Sequence, residues 1–349
     1  MKFGWRGALG IVLSAVFLYL AFKDIEFAKV AANVRKANLW LLLLSAATAT
    51  CIFPLRARRW RAILDPIAPQ LPFTVLWPPT AIGMMVNNVV PARAGELARA
   101  YALSRAVPAV PFPAAFASLA VDRLFDAVIV FLLMFSAMLD PAFPAGAQVA
   151  GHSMSSIALG GVIFIVGVLG AMYAMVLFPS RVLTVYEAVA RRIAPRLEEK
   201  GRVAIVALTS GLSVLRTPSR FAAVFGWTLV HWLVNALAFW IAFRAVGITA
   251  PFSAALFLQG LIAIGVAAPQ APGFFGIFEY LGQLGLGLYG VAADAAATWA
   301  IAFHFVSYIP ITLIGAWCFL RTGLSLQEIG RAERDEGAPP PSPAVPRVE

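Results

Sequence analysis

Charge is scarce in this chain. Of 349 residues, 13% are Asp, Glu, Lys or Arg and 61% are hydrophobic. A soluble domain carries about a quarter charged residues. The mean hydropathy is +0.83. The shortage excludes a water-soluble globular protein and equally a disordered one, and no polar stretch is long enough to fold as a soluble catalytic domain. Cysteine is sparse too. Cys51 and Cys318 are the only two, both lie in apolar runs, and they form no C-x-x-C or zinc spacing, so they read as packing residues. Walker A, H-E-x-x-H, G-x-S-x-G, haem and zinc patterns are missing, so no ATP-driven step, cofactor or metal is expected.

What the chain has instead is apolar runs of roughly 18 or more residues, recurring along most of its length, which mark transmembrane helices. The runs are continuous rather than alternating, which excludes a β-barrel. The net charge of +10 then reads as loop basicity facing anionic lipid rather than as a nucleic-acid surface. Lys2 and Arg6 before the apolar stretch 7–22 imitate a signal peptide. No small-x-small cleavage site precedes Lys23, so a retained first helix is expected.

Six clear spans fall at 7–22, 38–55, 113–139, 154–178, 221–246 and 295–320. Regions 74–111 and 252–291 are apolar but broken by Pro78, Pro79 and Pro91, and by Pro269 and Pro272 with several glycines. Loop charges set the sidedness. Segment 179–220 carries eight Lys/Arg against three Glu, loop 140–153 carries no Lys or Arg, and the tail carries Arg321, Arg331 and Arg334. Basic segments inside place both termini in the cytoplasm of a bacterial inner membrane. Segment 23–37 fits poorly, being external yet carrying Lys23, Lys29, Arg35 and Lys36. Parity then requires each broken region to enter and leave on one face, as a re-entrant hairpin or an even pair of broken helices. The expected fold is an all-α polytopic membrane protein of about six full spans plus two such hairpins. Residues 1–331 would form one transmembrane domain, with halves at about 1–145 and 146–331 related as an inverted-topology repeat, the architecture of many secondary transporters. Segment 180–216 reads as interfacial helix and 332–349 as a charged, Pro-rich disordered tail.

The costly residues lie inside these spans. Arg93, Glu96, Arg99, Asp122, Arg123, Asp126 and Glu279 would cost on the order of 20 kcal/mol if all faced lipid, at roughly 2.5–3.5 kcal/mol each. Whole-protein stability is only about 5–15 kcal/mol. They must face one another, water or a polar ligand. Three arginines against four acids nearly neutralise. Asp122 and Asp126 share a helix face, and Arg123 pairs naturally with Asp126 three residues on. New helices are expected near Gly95 and Gly276, each after a proline–glycine break. Their free N–H groups would attract an anion. His231 and His304 fall near mid-helix, where protonatable groups can relay protons, although packing is the commoner role of a lone buried histidine. Arg56, Arg58, Arg59, Trp60 and Arg61 read as a cationic-aromatic collar at a helix end, with Arg56, Arg59 and Trp60 anchoring at cytoplasmic headgroups.

Four motifs occur in order: R-x-R-R-W (Arg56 to Trp60), N-x-x-P-x-R-x-G-E (Asn88 to Glu96), D-R-x-x-D (Asp122 to Asp126) and P-G-F-F-G-I-F-E (Pro272 to Glu279). Together they resemble the lysylphosphatidylglycerol synthase transmembrane domain family of flippase-like membrane proteins, over roughly residues 5–325. The chain departs from the family pattern at Phe274, in a segment where members often read P-G-G, and at Asp122, where many carry Glu. The resemblance implies a lipid translocase, with no synthase activity expected of a chain ending at Glu349. The residues themselves leave three functions open. The first is a translocator holding a phosphate-bearing headgroup between Arg93, Arg123 and the half-helix N-termini, with Glu96, Asp122, Asp126 and Glu279 balancing charge. The second is an intramembrane enzyme acting on a lipid-linked phosphate or sugar. The third is a non-catalytic scaffold for a lipid-biosynthetic enzyme. Membrane lipids are the expected partners under all three.

Overall fold

The computed structural model describes residues 5–90, 94–144, 146, 148–149, 152–193, 195, 198–267 and 271–325. Arg93, Gln270 and the tail from residue 326 lie outside them. The protein is an all-α polytopic membrane protein. Its helices are α1 (Trp5–Phe22), α2 (Phe27–Lys36), α3 (Leu39–Thr50), α4 (Ile52–Leu64), α5 (Phe73–Val89), α6 (Gly95–Ala106), α7 (Phe112–Ala137), α8 (Met154–Leu177), α9 (Pro179–Ile193), α10 (Glu198–Gly211), α11 (Pro218–Ala245), α12 (Phe252–Gly265), α13 (Ile277–Leu288) and α14 (Ala293–Thr322). A two-residue antiparallel ladder joins Gln148–Val149 to His152–Ser153.

Four helices are both long and apolar enough to cross a membrane: Leu39–Leu64, Leu159–Leu177, Pro218–Ala245 and Ala293–Thr322. The span expected at 113–139 is α7, long enough at 26 residues but charged at its middle by Asp122, Arg123 and Asp126. The apolar surface is turned outward, as suits a lipid solvent. On α8, Leu159, Ile163 and Val166 are each more than 60% exposed. The interior holds an aromatic ladder instead. Trp299 and Phe243 are fully buried and lie 5.1 Å apart, and Phe239 and Phe303 stack edge-to-face at 4.6 Å.

Three elements depart from the sequence expectation. The second span does not stop at residue 55. The helix is interrupted only at Cys51, itself in a helical conformation, where α4 takes up directly and continues to Leu64. Segment 23–37, the misfit in the charge pattern, folds as the short helix α2 lying against α14. Its Lys29 is answered by Glu26 at 2.7 Å and Asp294 at 3.8 Å, so its charge is largely local and says little about sidedness. Of the two cysteines, Cys318 is buried as expected and Cys51 is exposed.

Both broken regions fold as helix pairs. In the first, α5 and α6 cross where Gly83 meets Gly95. A Cβ on Gly83 would come within 2.7 Å of the Gly95 carbonyl oxygen, so only glycine lets the two backbones approach this closely. In the second, α12 and α13 are joined through a 3-10 turn at Pro272–Phe274. Each hairpin also packs on a helix distant in sequence: α5 on α14, and α12 on α7. The neighbour pairs α4–α5 and α6–α7 are matched by α11–α12 and α13–α14. Helices α3 and α4 meet α11 at the centre.

Candidate functional site: a guanidinium–carboxylate cluster and a capped hairpin

Helical spacing assembles the first constellation. Arg56, Arg59 and Trp60 share a face of α4, Glu96 and Arg99 a face of α6, and Asp122, Arg123 and Asp126 one side of α7. Arg59 sits at the centre, fully buried. Its Nε is 2.5 Å from Asp122 Oδ1 and its Nη1 is 2.5 Å from Asp126 Oδ1, while Nη2 donates to Asp126 Oδ2 at 3.3 Å. Arg99 Nη1 donates to Asp122 Oδ2 at 3.3 Å, and Arg56 Nη2 lies 3.7 Å from the same oxygen. Arg123 Nη1 donates to Asp126 Oδ2 at 3.1 Å and its Nη2 donates to Glu96. From α11 the Trp232 indole N–H donates to Asp126 Oδ1 at 2.8 Å. The Arg99 guanidinium lies 4.1 Å over the Trp60 ring, whose N–H donates to Ser118 Oγ at 2.8 Å.

Two properties of this cluster carry chemical meaning. Among the described residues its charges differ by one: four arginines face three acids. The imbalance is as small as the expected one and of opposite sign, because Arg56 and Arg59 join the group and Glu279 does not. Among the described residues, three buried guanidinium nitrogens, Arg56 Nε and Arg99 Nε and Nη2, have no hydrogen-bond partner; Arg59 Nε makes no hydrogen bond either but lies in ion-pair contact with Asp122 Oδ1, and on the acid side Glu96 Oε2 is also without one. A surplus cation with unspent donors in a water-poor interior is costly and suits a planar oxyanion. Among the described residues the cluster is most exposed at Arg123 and Glu96, at 37% and 24%, against 0% for Arg59 and Asp122.

The second constellation is built on the other hairpin. Gly276, at φ 93°, caps α13 in a conformation that excludes a side chain. Its N–H donates to Glu279 Oε2 at 2.7 Å. Glu279 Oε1 meets His304 Nδ1 from α14, and His304 Nε2 lies 2.8 Å from the Gly273 carbonyl oxygen. Phe274, the departure from P-G-G, has φ 62°, a backbone state in which a glycine would sit without strain.

Several sequence-selected residues take other places than spacing suggested. The cationic-aromatic collar is corrected: Arg59 and Trp60 have no exposed surface and Arg56 little, because α4 extends the second span and turns them onto α7. One N–H at each half-helix start is already taken within the chain. Gly95 N–H donates to Asn87 Oδ1 at 2.9 Å, and Gly276 N–H is taken by Glu279. His231 is buried, its ring 5.1 Å from Trp232 and its Nδ1 without a partner, and it lies beside the first cluster rather than with His304. Arg93 lies outside the described residues. Sequence reasoning missed Trp232, Ser118 and Asn87. Only Asn87, one residue ahead of the N-x-x-P motif, stood near a signal.

The model of the lysylphosphatidylglycerol synthase transmembrane region covers residues 7–315. The chain belongs to that family. Among its relatives is a protein named Glycosyltransferase AglD from Haloferax volcanii, 26% identical over 88% of this chain and 52% of that one. Another is a UPF0104 membrane protein from Methanothermobacter thermautotrophicus, 25% identical over 88% of this chain and 89% of the relative. The chain thus spans about half of the first relative and most of the second. No solved structure matches.

Proposed function

We propose that this member of the family is a lipid translocator that carries a phosphate-bearing, anionic headgroup past the guanidinium–carboxylate cluster while the acyl chains stay in the bilayer. One observation carries this: among the described residues, four arginines against three acids, with three buried guanidinium nitrogens lacking a hydrogen-bond partner, in a cluster most exposed at Arg123 and Glu96. Anionic oxygens would complete those donors and cancel the surplus charge. The packing of each hairpin on a helix distant in sequence supports rocking of one half against the other, as in repeat-built transporters. The proposed setting is an inner membrane with both termini in the cytoplasm and membrane lipids as partners. A second reading, an enzyme acting on a lipid-linked sugar, is favoured by the name of the Haloferax volcanii relative.

The test uses the full chain in proteoliposomes with acyl-labelled phosphatidylglycerol and, as control, acyl-labelled phosphatidylcholine. Chemical quenching of the outer leaflet reads movement. The expected result is phosphatidylglycerol exchange well above protein-free vesicles, lost in Arg99→Gln/Arg123→Gln and kept in Arg321→Gln. Equal exchange with and without protein would refute the translocator, and a chemically altered lipid would favour the enzyme.

A further inference from the structure

The Glu279–His304 contact has a proton count that its geometry dictates. A carbonyl oxygen only accepts, so His304 Nε2, 2.8 Å from Gly273 O, carries a hydrogen. Glu279 Oε2 already accepts from Gly276 N–H. One position remains, between Oε1 and Nδ1. It holds one proton, whether written as imidazolium with carboxylate or as neutral acid with neutral imidazole. Without that proton two lone pairs face each other and a net negative charge is left buried. Both side chains are under a tenth exposed, and His304 is sandwiched by Phe275 and Phe278 at 4.4 and 4.7 Å. The proton-loaded pair is neutral and closed; the unloaded pair is charged and needs water.

Among the described residues, no other charged side chain is in contact with the pair. From α14 the neighbouring titratable group is Tyr308, 6.2 Å away ring to ring, with its hydroxyl donating to Asn88 O of α5 at 3.3 Å. From α13 it is Tyr280, tilted on Phe17 of α1. α1 otherwise contributes Ser14 and Leu18, and α11 contributes Phe239 against Phe278. The pair also joins three elements: it ties the turn of the α12–α13 hairpin, the N-terminus of α13 and the middle of α14, the helix on which α5 packs.

We propose that Glu279 and His304 form a single-proton binding site that couples the opening of the second hairpin, and with it lipid movement, to proton uptake and release. This rests on the translocator reading; the proton site itself does not.

Glu279→Gln is the informative variant. Its carboxamide is isosteric, can accept from Gly276 N–H, and can donate permanently to Nδ1, so it imitates the loaded pair without titrating. Two measurements separate the claims. The first needs no lipid substrate. The chain has three histidines, so 15N-histidine NMR of the purified full chain, assigned with His304→Gln, follows the His304 ring across pH while infrared difference spectra follow the Glu279 carboxyl. The expected result is one shared midpoint for both probes, with Glu279→Gln leaving His304 as the neutral Nε2–H form throughout. Separate midpoints, or an unchanged His304 titration in Glu279→Gln, would overturn the site. The second imposes a pH gradient on the proteoliposomes with the membrane potential clamped by potassium and valinomycin. One proton per lipid sets a leaflet asymmetry of about tenfold per pH unit, absent in Glu279→Gln. Exchange without any asymmetry would overturn the coupling and leave the translocator standing. No exchange under any condition would overturn the translocator and the coupling together, and the titration alone then decides the proton site.

Discussion

Replacing Arg59 by methionine should be far more damaging than replacing Arg99, although the two are neighbours in one cluster and bear the same charge. Net charge alone predicts the opposite for both: four arginines against three acids would become three against three, a neutral group. The distances decide otherwise. Arg59 holds Asp122 and Asp126 together through contacts of 2.5, 2.5 and 3.3 Å. Without it, Asp122 retains only Arg99 at 3.3 Å and Arg56 at 3.7 Å, while Asp126 keeps Arg123 at 3.1 Å and Trp232 at 2.8 Å. A carboxylate left under-paired at 0% exposure makes this the breaking of a buried ion pair, about 3–5 kcal/mol. Arg99→Met instead removes one 3.3 Å contact and two unpartnered nitrogens, and the thioether can still lie on the Trp60 ring. Its loss should stay under about 2 kcal/mol, while retention of co-purified anionic lipid should fall. Unfolding of detergent-solubilised protein, followed by the fluorescence of its nine tryptophans, measures the first effect and lipid mass spectrometry the second. Equal destabilisation by the two variants, or an Arg59→Met loss below about 1 kcal/mol, would refute this division of labour.

Three smaller effects can be read by similar means. Trp232→Phe keeps the ring but withdraws a donor from an ionised Asp126, and should cost about 1.5–3 kcal/mol in the same unfolding assay. Asn87→Ala leaves the Gly95 N–H without its acceptor and should cost about 1 kcal/mol, with faster amide exchange confined to the start of α6. In the loop after α7, the Ala142 N–H, donating at 2.8 Å, holds the Asp140 carboxyl below its usual value. A depressed folded value means that its contribution is present above about pH 4 and is lost as pH falls through that value. Amide protection at 140–143, taken relative to the intrinsic exchange rate at each pH, should therefore fall on acidification, and Asp140→Asn should remove that loss of protection.

Local spacing explains what could be read from the sequence. Arg123 and Asp126, three residues apart on one helix, do pair. The helix starts near Gly95 and Gly276 fall where the proline–glycine segments placed them, whereas Pro78 and Pro79, read as breaks too, lie inside the continuous helix α5, as Pro310 lies inside α14. What escaped is contact across long separations. Four arginines after an apolar run look like a cytoplasmic loop under the positive-inside rule. Nothing local reveals that Asp126, 67 residues away, will draw Arg59 into the interior. Trp232 looks like one more apolar ring on α11 until an acid appears beside its N–H. Charge near a span end is therefore ambiguous, because it can face headgroups or answer buried acids, and only the packing of α4 on α7 distinguishes the two.

The correspondence between the two hairpins sharpens the functional argument. α5–α6 and α12–α13 occupy matching places in the contact pattern, yet their chemistry differs. The first presents surplus guanidinium and the second a closed carboxylate–imidazole pair with no arginine in contact. A structural role for both would need only that each hairpin neutralise itself. The first does not, and the second does so only with one proton. The asymmetry suits one site that takes an anion and one that takes a proton, at the two hairpins whose relative motion would alternate access. The two perturbations should then separate. Arg99→Met should lower anionic-lipid retention at every pH, and Glu279→Gln should flatten the pH response of lipid distribution. If both variants shifted the same readout in the same way, the hairpins would be one site, and the assignment of separate ligands would fail.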